Sequence, residues 1–323
     1  MFFPRMRGYP VGSVIVAPFN ASAADKRHAD IVCDGKNDEQ ELFQSLLQAR
    51  RYTVQVDANP AGKRTVECYG RHSVIWLPGD YTLDATLTIP DMADSLINAE
   101  GAYFHYQSTE GDAVVLTGMM RCRYAFGTIE SHSTGATLKV KPRGADDWRA
   151  GIQNSAMGVQ MSKISFVGLI GRDQKGVGLH VDAACTNAFE GTDISGFDVG
   201  VYVESAGSGK IDTNWFWFSY IRMCNTCIVE RGGHVDDNVW YVNVDASIPD
   251  STCIRTAAIY GSWYVIIGMN PEYSQNRGII LDLGAKHNVF EVHPPLDEFP
   301  WEDNSGNDTN VILTTQRLPY VGK

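Results

Sequence analysis

The sequence lacks the features that would direct this protein to a membrane or to nucleic acid. No apolar run reaches the roughly 18–20 residues that a membrane span requires. Residues 1–7 are not followed by the apolar core and small-residue cleavage site of a signal peptide, so none is visible. The 323 residues include 27 Lys and Arg against 38 Asp and Glu, giving a net charge of −11. Without a clustered positive surface we expect no nucleic-acid partner, and we expect no membrane association.

The negative balance also disfavours a strongly anionic polysaccharide as the partner, unless basic residues concentrate in one groove. Net charge alone does not decide this point, because it says little about a local site.

Cysteine is present but is not arranged as a disulfide framework or a metal site. There are seven cysteines, an odd number at irregular spacing. Cys224 and Cys227 form a single CxxC pair with no second pair or His pair to complete a zinc site. We therefore predict no metal site at these thiols, which instead fill interior positions as small apolar side chains.

The first motif is a short amphipathic helix followed by a pair of strands. Asn37 and Gln40 are spaced as a capping box, and the next apolar residues fall on one helical face. Residues 74–83, VIWLPGDYTL, then give a strand, a Pro-Gly turn and a second strand. A helix placed before strands in this way is typical of a lid on the open end of a sheet.

These segments resemble the opening of pectin-lyase-like β-helix proteins. Residues 29–49, ADIVCDGKNDEQELFQSLLQA, match the helix that caps the first coil, and residues 74–83 match the first strand pair. The turn Pro78-Gly79-Asp80 is one residue tighter than the usual form, and a polar insertion at about residues 52–72 separates helix and strand. The resemblance implies a fold and no catalytic residue, because lyases, hydrolases, epimerases and viral tail proteins share this opening.

Repeats in the second half favour the same fold. A polar residue followed two positions later by an aromatic one recurs in steps of 27, 24, 24 and 26 residues: Asn187, Asn214, Asn238, Ser262 and Asn288. A further step of 22 residues leads to Asn310, which is followed by Ile312. Leucine-rich repeats have similar periods, but their leucine pattern is missing. We therefore predict an all-β, right-handed parallel β-helix with a short N-terminal capping helix.

The repeat also divides the chain. We expect an N-terminal extension over 1–28, the capping helix and first coils over 29–98, coils over 99–296 and a C-terminal tail over 297–323, all within one structural domain.

Alternation along each strand then assigns the two faces. With Phe189, Phe216, Trp240, Tyr264 and Phe290 stacked inside, the polar residues of the repeat form a buried amide ladder. The outward positions are rich in aromatic residues and include Trp215, Trp217, Tyr241 and Trp263. Such a face predicts a partner, either sugar rings or further copies of the chain in a homotrimer, and burial under a loop is a third interpretation.

Acidic residues gather just before two of the repeats. Asp212 and Asp236 hold the same position in consecutive coils, roughly 4.8 Å apart, and Asp237 and His234 lie beside them. Two carboxylates that close provide the acid and the base or nucleophile that glycosidic hydrolysis requires. The order Asp212-Thr213-Asn214 and Asp236-Asp237-Asn238 resembles polygalacturonase-type hydrolases, with the first motif reversed and the later family signatures missing. The alternative interpretation is that these aspartates only cap strand turns.

A lyase would need a base and a group that neutralises a uronate carboxylate. His180 and Tyr202 are outward neighbours on the second strand of adjacent coils, and Arg255 shares their column. No cofactor is predicted, although a lyase of this kind could use Ca²⁺.

Two functions follow from these patterns. One is a carbohydrate-active enzyme, either a glycoside hydrolase or a polysaccharide lyase, that cleaves or modifies a polysaccharide or oligosaccharide in a groove along the coils. The other is a non-catalytic trimeric spike, fibre or glycan-binding adhesin, for example a viral tail protein. Either function predicts an extracellular or virion-associated location.

Overall fold

The computed structural model is a parallel β-solenoid of about eight turns. It describes residues 13–49, 52–57, 65–70, 73–90, 92–142, 159–182, 184–205, 211–232, 234–270, 272–293 and 300–314. The predicted class, all-β with a short N-terminal helix, is confirmed. Each full turn, called a coil here, contributes one strand to each of three sheets that run the length of the solenoid.

The first sheet has thirteen strands. They are β1 (Val14–Ala17), β2 (Ile31–Val32), β5 (Ser73–Trp76), β6 (Gly79–Leu83), β9 (Leu96–Tyr106), β12 (Arg123–Ser131), β15 (Lys163–Gly171), β18 (Ala188–Ser195), β21 (Trp215–Arg222), β24 (Val239–Ala246), β26 (Ser262–Met269), β28 (Val289–His293) and β30 (Val311–Thr314).

The second sheet has nine strands. They are β7 (Leu87–Ile89), β10 (Val114–Thr117), β13 (Ala136–Lys141), β16 (Val177–Asp182), β19 (Val199–Glu204), β22 (Thr226–Arg231), β25 (Thr252–Thr256), β27 (Arg277–Leu281) and β29 (Trp301–Asp303).

The third sheet has eight short strands. They are β3 (Tyr52–Asp57), β4 (Thr65–Gly70), β8 (Met92–Ala93), β11 (Met119–Met120), β14 (Val159–Gln160), β17 (Ala184–Cys185), β20 (Ile211–Asp212) and β23 (Val235–Asp236). Single bridges at Ile259 and Lys286 continue it.

The N-terminal helices cover one end of the solenoid. Helix α1 (Ala23–His28) begins at Ser22, whose hydroxyl accepts from the Asp25 N–H. Helix α2 (Asp38–Ala49) is the predicted capping helix, and it buries Leu42 and Leu46 against the first coils. Its first turn is fastened by Asp38, whose carboxylate accepts the N–H groups of Gly35 and Thr82. Among the described residues, no helix is both long and apolar enough to span a membrane.

Strands extend into both segments that were predicted as terminal extensions. Within 1–28, strand β1 pairs in parallel with β5 and so belongs to the first sheet. Beyond residue 296, strands β29 and β30 continue the second and first sheets. The polar insertion contains an antiparallel hairpin, β3 with β4. Residues 1–12, 297–299 and 315–323 lie outside the described residues.

Stacked aromatic side chains fill the interior behind the first sheet. Phe189 stacks on Phe216 and Phe216 on Trp240, with ring centroids 5.0 and 4.0 Å apart. The column continues from Trp240 to Trp263 at 4.8 Å and on to Phe290 at 5.2 Å. Trp263, not Tyr264, is therefore the interior residue of its coil.

The assignment of Trp263 to the outer face is wrong by one residue. Strand pairing sets Trp240 opposite Trp263 and Tyr241 opposite Tyr264, so Gly261, not Ser262, follows Asn238 in the repeat. A one-residue shift moves every side chain of a strand to the other face. Trp263 is 1% exposed and cannot contact a ligand outside the solenoid, whereas Tyr264 points outward.

The buried amide ladder forms where the repeat has asparagine. The Asn214 side chain accepts from the N–H and side-chain amide of Asn187, and Asn238 accepts from Asn214 in the same way, at 3.1 Å each. Asn288 and Asn310 repeat the contact. Gly261 interrupts the ladder of side chains, because the Asn288 amide oxygen and the Trp263 indole occupy the space that a side chain at 261 would fill.

Candidate functional site

The corner between the third and first sheets is built from a repeated left-handed turn. One residue of positive φ precedes the ladder position in coil after coil: Asp94, Arg121, Met161, Thr186, Thr213, Asp237, Tyr260 and His287. Most are not glycine, and residues with side chains pay a conformational cost there. The turn projects these side chains from the corner, so the corner forms a row along the solenoid axis.

A cleft of about 580 Å³ lies along this corner and spans four coils. Its exposed lining includes Met161, Thr213 and Trp215, together with the basic residues Arg121, Arg123 and Lys163. Trp215 is 61% exposed and Met161 63% exposed, so the cleft presents large apolar surfaces to solvent. An exposed indole beside polar groups is a common arrangement for ligand contact.

Three cations line the end of the cleft nearest the N-terminus. Arg121 makes two hydrogen bonds to the Asp94 carboxylate, at 2.7 and 3.0 Å. The Lys163 ammonium lies 2.6 Å from the Glu190 carboxylate. Arg123 faces the same cleft and forms no ion pair with any residue in the described part of the chain.

The predicted acidic residues meet at the other end of the corner. Asp212 and Asp236 are register partners on β20 and β23, and both are partly exposed. The Thr213 hydroxyl, from a residue that lines the cleft, donates to Asp212 Oδ1 at 2.6 Å and orients that carboxylate. Asp237 occupies the exposed left-handed position of the next coil, and exposed His234 precedes β23.

The proposed lyase residues divide between two places. His180 and Tyr202 are neighbours on the second sheet, with ring centroids 5.0 Å apart. Arg255 lies two coils further on, beyond Val229, and holds Asp282 through two hydrogen bonds of 2.6 and 3.0 Å. The pair therefore does not share a site with this arginine.

The side chains of His180 and Tyr202 are both uncharged near neutral pH. Burial, with a smaller contribution from Lys139, lowers the pKa of His180 to about 4. Burial and the nearby Glu204 raise the pKa of Tyr202 to about 12. An imidazole this weakly basic is a poor proton acceptor near neutral pH.

The outward aromatic residues form a stack of their own. Trp217 stacks on Tyr241 at 5.3 Å between ring centroids, and Tyr241 stacks on Tyr264 at 4.7 Å with planes 5° apart. Tyr241 is therefore covered on both faces, while Trp217 and Tyr264 at the ends of the stack remain partly exposed. Exposed Ile266, Val289 and Leu313 extend the apolar surface beside them.

The sequence-based search did not find the basic residues of the cleft. Pairing of β12, β15, β18 and β21 sets Arg123, Lys163, Ala188 and Trp215 in one column. Continuing the Trp215 column back through three coils would have identified Lys163 and then Arg123. The spacing hides this relation because a long segment, 143–158, separates β13 from β14 and breaks the repeat period.

A second polar cluster was also missed, at the opposite edge of the first sheet. Glu130 accepts hydrogen bonds from the Tyr103 hydroxyl and from Arg172 Nε, both at 2.6 Å, and His105 Nδ1 lies 3.8 Å away. Burial opposes ionisation, but the hydrogen bonds from Arg172 and Tyr103 outweigh it and lower the pKa of Glu130. Burial and the Glu130 carboxylate raise the pKa of Tyr103 to about 12. This saturated network ties neighbouring coils together.

Among the described cysteines, all but the partly exposed Cys185 are buried in the interior. Cys224 and Cys227 are buried, and burial raises the pKa of Cys224 to about 12 and also raises the pKa of Cys227. Within the described residues, one group has metal-ligand spacing, formed by Cys33, Asp38 and Glu41 under the cap. Burial raises the pKa of the Cys33 thiol, and the Asp38 carboxylate already accepts two backbone N–H groups, so this group fits a structural role.

No protein-family model, curated protein or solved structure matches this chain. The described residues themselves must therefore carry any functional assignment.

Proposed function

We propose that this protein is a glycoside hydrolase that binds a glycan along the corner cleft and cleaves it at the pair Asp212 and Asp236. The observation that carries the proposal is the register pairing of these two aspartates at the end of a cleft that contains an exposed tryptophan. Glycosidic hydrolysis requires two carboxyl groups on either side of the scissile bond. The cleft supplies a path long enough for several sugar units to lie on the same side of the solenoid.

We assign the two aspartates different roles. Asp212 is oriented by the Thr213 hydroxyl and acts as the nucleophile. Asp236 acts as the general acid that protonates the leaving oxygen. Trp215 provides the apolar platform beside the cleft, and Asp237 and His234 border the reacting sugar from the exposed side.

The hydrolase is favoured over the lyase by the geometry of the alternative residues. The pKa of His180, about 4, makes it a weak base, and Arg255 is two coils away and engaged by Asp282. A lyase would need these groups around one uronate carboxylate.

The experiment is a screen of the purified protein against neutral and acidic polysaccharides, following new reducing ends and absorbance near 235 nm, a wavelength chosen for unsaturated uronates. We expect reducing ends without absorbance, and their loss in Asp236→Asn. Asp250→Asn is the matched control, because Asp250 is exposed in a turn away from the cleft. Rising absorbance would replace the hydrolase with a lyase, and activity that survives Asp236→Asn would remove the acid pair from the mechanism.

A second function, assembly into a homotrimeric spike, is supported by the outward aromatic stack. The exposed rings of this stack and the neighbouring aliphatic side chains form an apolar surface that suits packing against other copies. The expected particle has about three times the 35.6 kDa mass of one chain.

Light scattering coupled to gel filtration tests this assembly. Replacing both Trp217 and Tyr264 by serine should give monomers, whereas Tyr260→Ser, at an exposed tyrosine outside the stack, should leave the mass unchanged. A wild-type protein that is monomeric at high concentration would contradict the trimer.

A further inference from the structure

The cleft concentrates positive charge in a chain whose net charge is −11. Its N-terminal end is lined by Arg121, Arg123 and Lys163. Arg121 is neutralised by two hydrogen bonds to Asp94. The other two cations therefore determine what this end of the cleft attracts.

Arg123 and Lys163 are direct register partners on β12 and β15, and both point outward into the cleft. Like charges opposite each other on neighbouring strands destabilise a sheet unless an anion lies between them. Lys163 resolves this by reaching 2.6 Å to Glu190 in the following coil, while Arg123 has no carboxylate within ion-pairing distance among the described residues.

The Lys163–Glu190 contact is exposed on both sides. The side chains are 37% and 43% accessible, so the pair is in water and is worth little by itself. An incoming anion can therefore take Lys163 from Glu190 at small cost. Arg123 offers a planar, permanently charged fork that matches a carboxylate with two parallel hydrogen bonds.

We propose that Arg123 and Lys163 form an anion subsite for an acidic sugar of the bound glycan, and that the Glu190 carboxylate occupies Lys163 when the subsite is empty. The identification of the ligand as a glycan rests on the proposed function. Lys163 is two coils from Trp215 in the same column, so the acidic sugar is held roughly 10 Å along the axis from the coil of Asp212. The subsite therefore selects the substrate without touching the scissile bond.

The two variants that test the subsite have opposite effects. Binding of α-linked and β-linked hexameric oligouronates is measured by titration calorimetry, alongside the same oligosaccharides with their carboxyl groups reduced to alcohols. Arg123→Gln should weaken binding of the acidic probe about tenfold, the effect of losing a charge-assisted hydrogen-bonded contact. Glu190→Gln should strengthen it, because it removes the competing carboxylate. Opposite shifts of this kind do not arise from a general loss of folding.

Lys141→Gln is the matched control, since Lys141 is a lysine of β13 on the second sheet, away from the cleft. This variant should change neither the affinity for the acidic probe nor that for the reduced probe. Equal binding of the acidic and reduced probes, no binding of either oligouronate, or weaker binding in Glu190→Gln would overturn the subsite.

Failure of the subsite and failure of the hydrolase are separable. Acidic oligosaccharides bound with the expected variant effects, but never cleaved, would support the subsite and reject the hydrolase. Cleavage of a neutral glycan that depends on Asp236 but not on Arg123 would support the hydrolase and reject the subsite.

Discussion

Trp263 stacks on Trp240 inside the solenoid, with ring centroids 4.8 Å apart and planes 2° apart. The next residue, Tyr264, points to solvent and stacks on Tyr241. Two aromatic residues adjacent in sequence thus belong to different columns, one in the core and one on the surface.

The two positions should respond differently to truncation. Trp263→Ala leaves a large cavity and should lower the free energy of unfolding by about 3–5 kcal/mol. Within one chain, Tyr264→Ala loses a stacking contact on the outer face and should cost about 1 kcal/mol in the monomer. Urea unfolding followed by far-UV circular dichroism measures both, and equal effects would contradict the assigned register.

The amide ladder should depend on each asparagine. Asn214→Ala removes the acceptor of the Asn187 N–H and the donor to the Ala184 carbonyl, contacts of 3.1 and 2.7 Å. Each buried polar group left unsatisfied costs about 1–3 kcal/mol, so the loss of stability should be on the order of 3 kcal/mol. Asn243→Ala, on an outward position of β24, should be close to neutral in the same urea titration.

Glu230 should make stability depend on pH. It is fully buried, accepting from Trp240 Nε1 at 2.9 Å and Thr256 Oγ1 at 3.0 Å, and burial raises its pKa to about 7. The ordinary glutamate pKa, 4.5, applies to the unfolded chain. Between these values the folded protein holds the proton that the unfolded chain has lost.

Its contribution to stability therefore falls as pH rises from about 4.5 to 7, by on the order of 3 kcal/mol, and levels off above. Glu230→Gln should remove this decline when urea midpoints are compared at pH 5 and pH 8. Glu291→Gln, on the outer face of β28, is the control and should retain it. A wild-type midpoint that rises over this interval while that of Glu230→Gln stays level would show that the folded-state pKa of Glu230 is not raised.

The stereochemistry of cleavage should follow from the strand spacing. Carboxylates on paired residues of adjacent strands lie roughly 5 Å apart, which is the separation of retaining glycosidases rather than inverting ones. Proton NMR of the first products should therefore show the anomeric configuration of the substrate. An inverted product would instead require a wider pair, such as Asp212 with Asp237.

Much of the fold was predictable because each coil of the solenoid repeats a similar sequence pattern and a similar local structure. The recurrence of a polar residue two positions before an aromatic residue predicted the buried ladder. The structure confirms it at Asn187, Asn214, Asn238 and Asn288 but not at Ser262. The adjacency of Asp212 and Asp236 followed from the same spacing, because residues one period apart become neighbours on paired strands.

The sequence alone thus determined the fold class, the ladder and the acid pair, since each depends on periodicity. Tertiary structure decided the face of Trp263 and the basic end of the cleft. In the first case a glycine at 261 and a tryptophan two residues later replace the usual pair, and only packing on Trp240 shows which aromatic residue enters the core. In the second case, Arg123 and Lys163 are 40 residues apart in the sequence, and the insertion between them breaks the repeat period. Only the pairing of β12 with β15 shows that the two residues are neighbours.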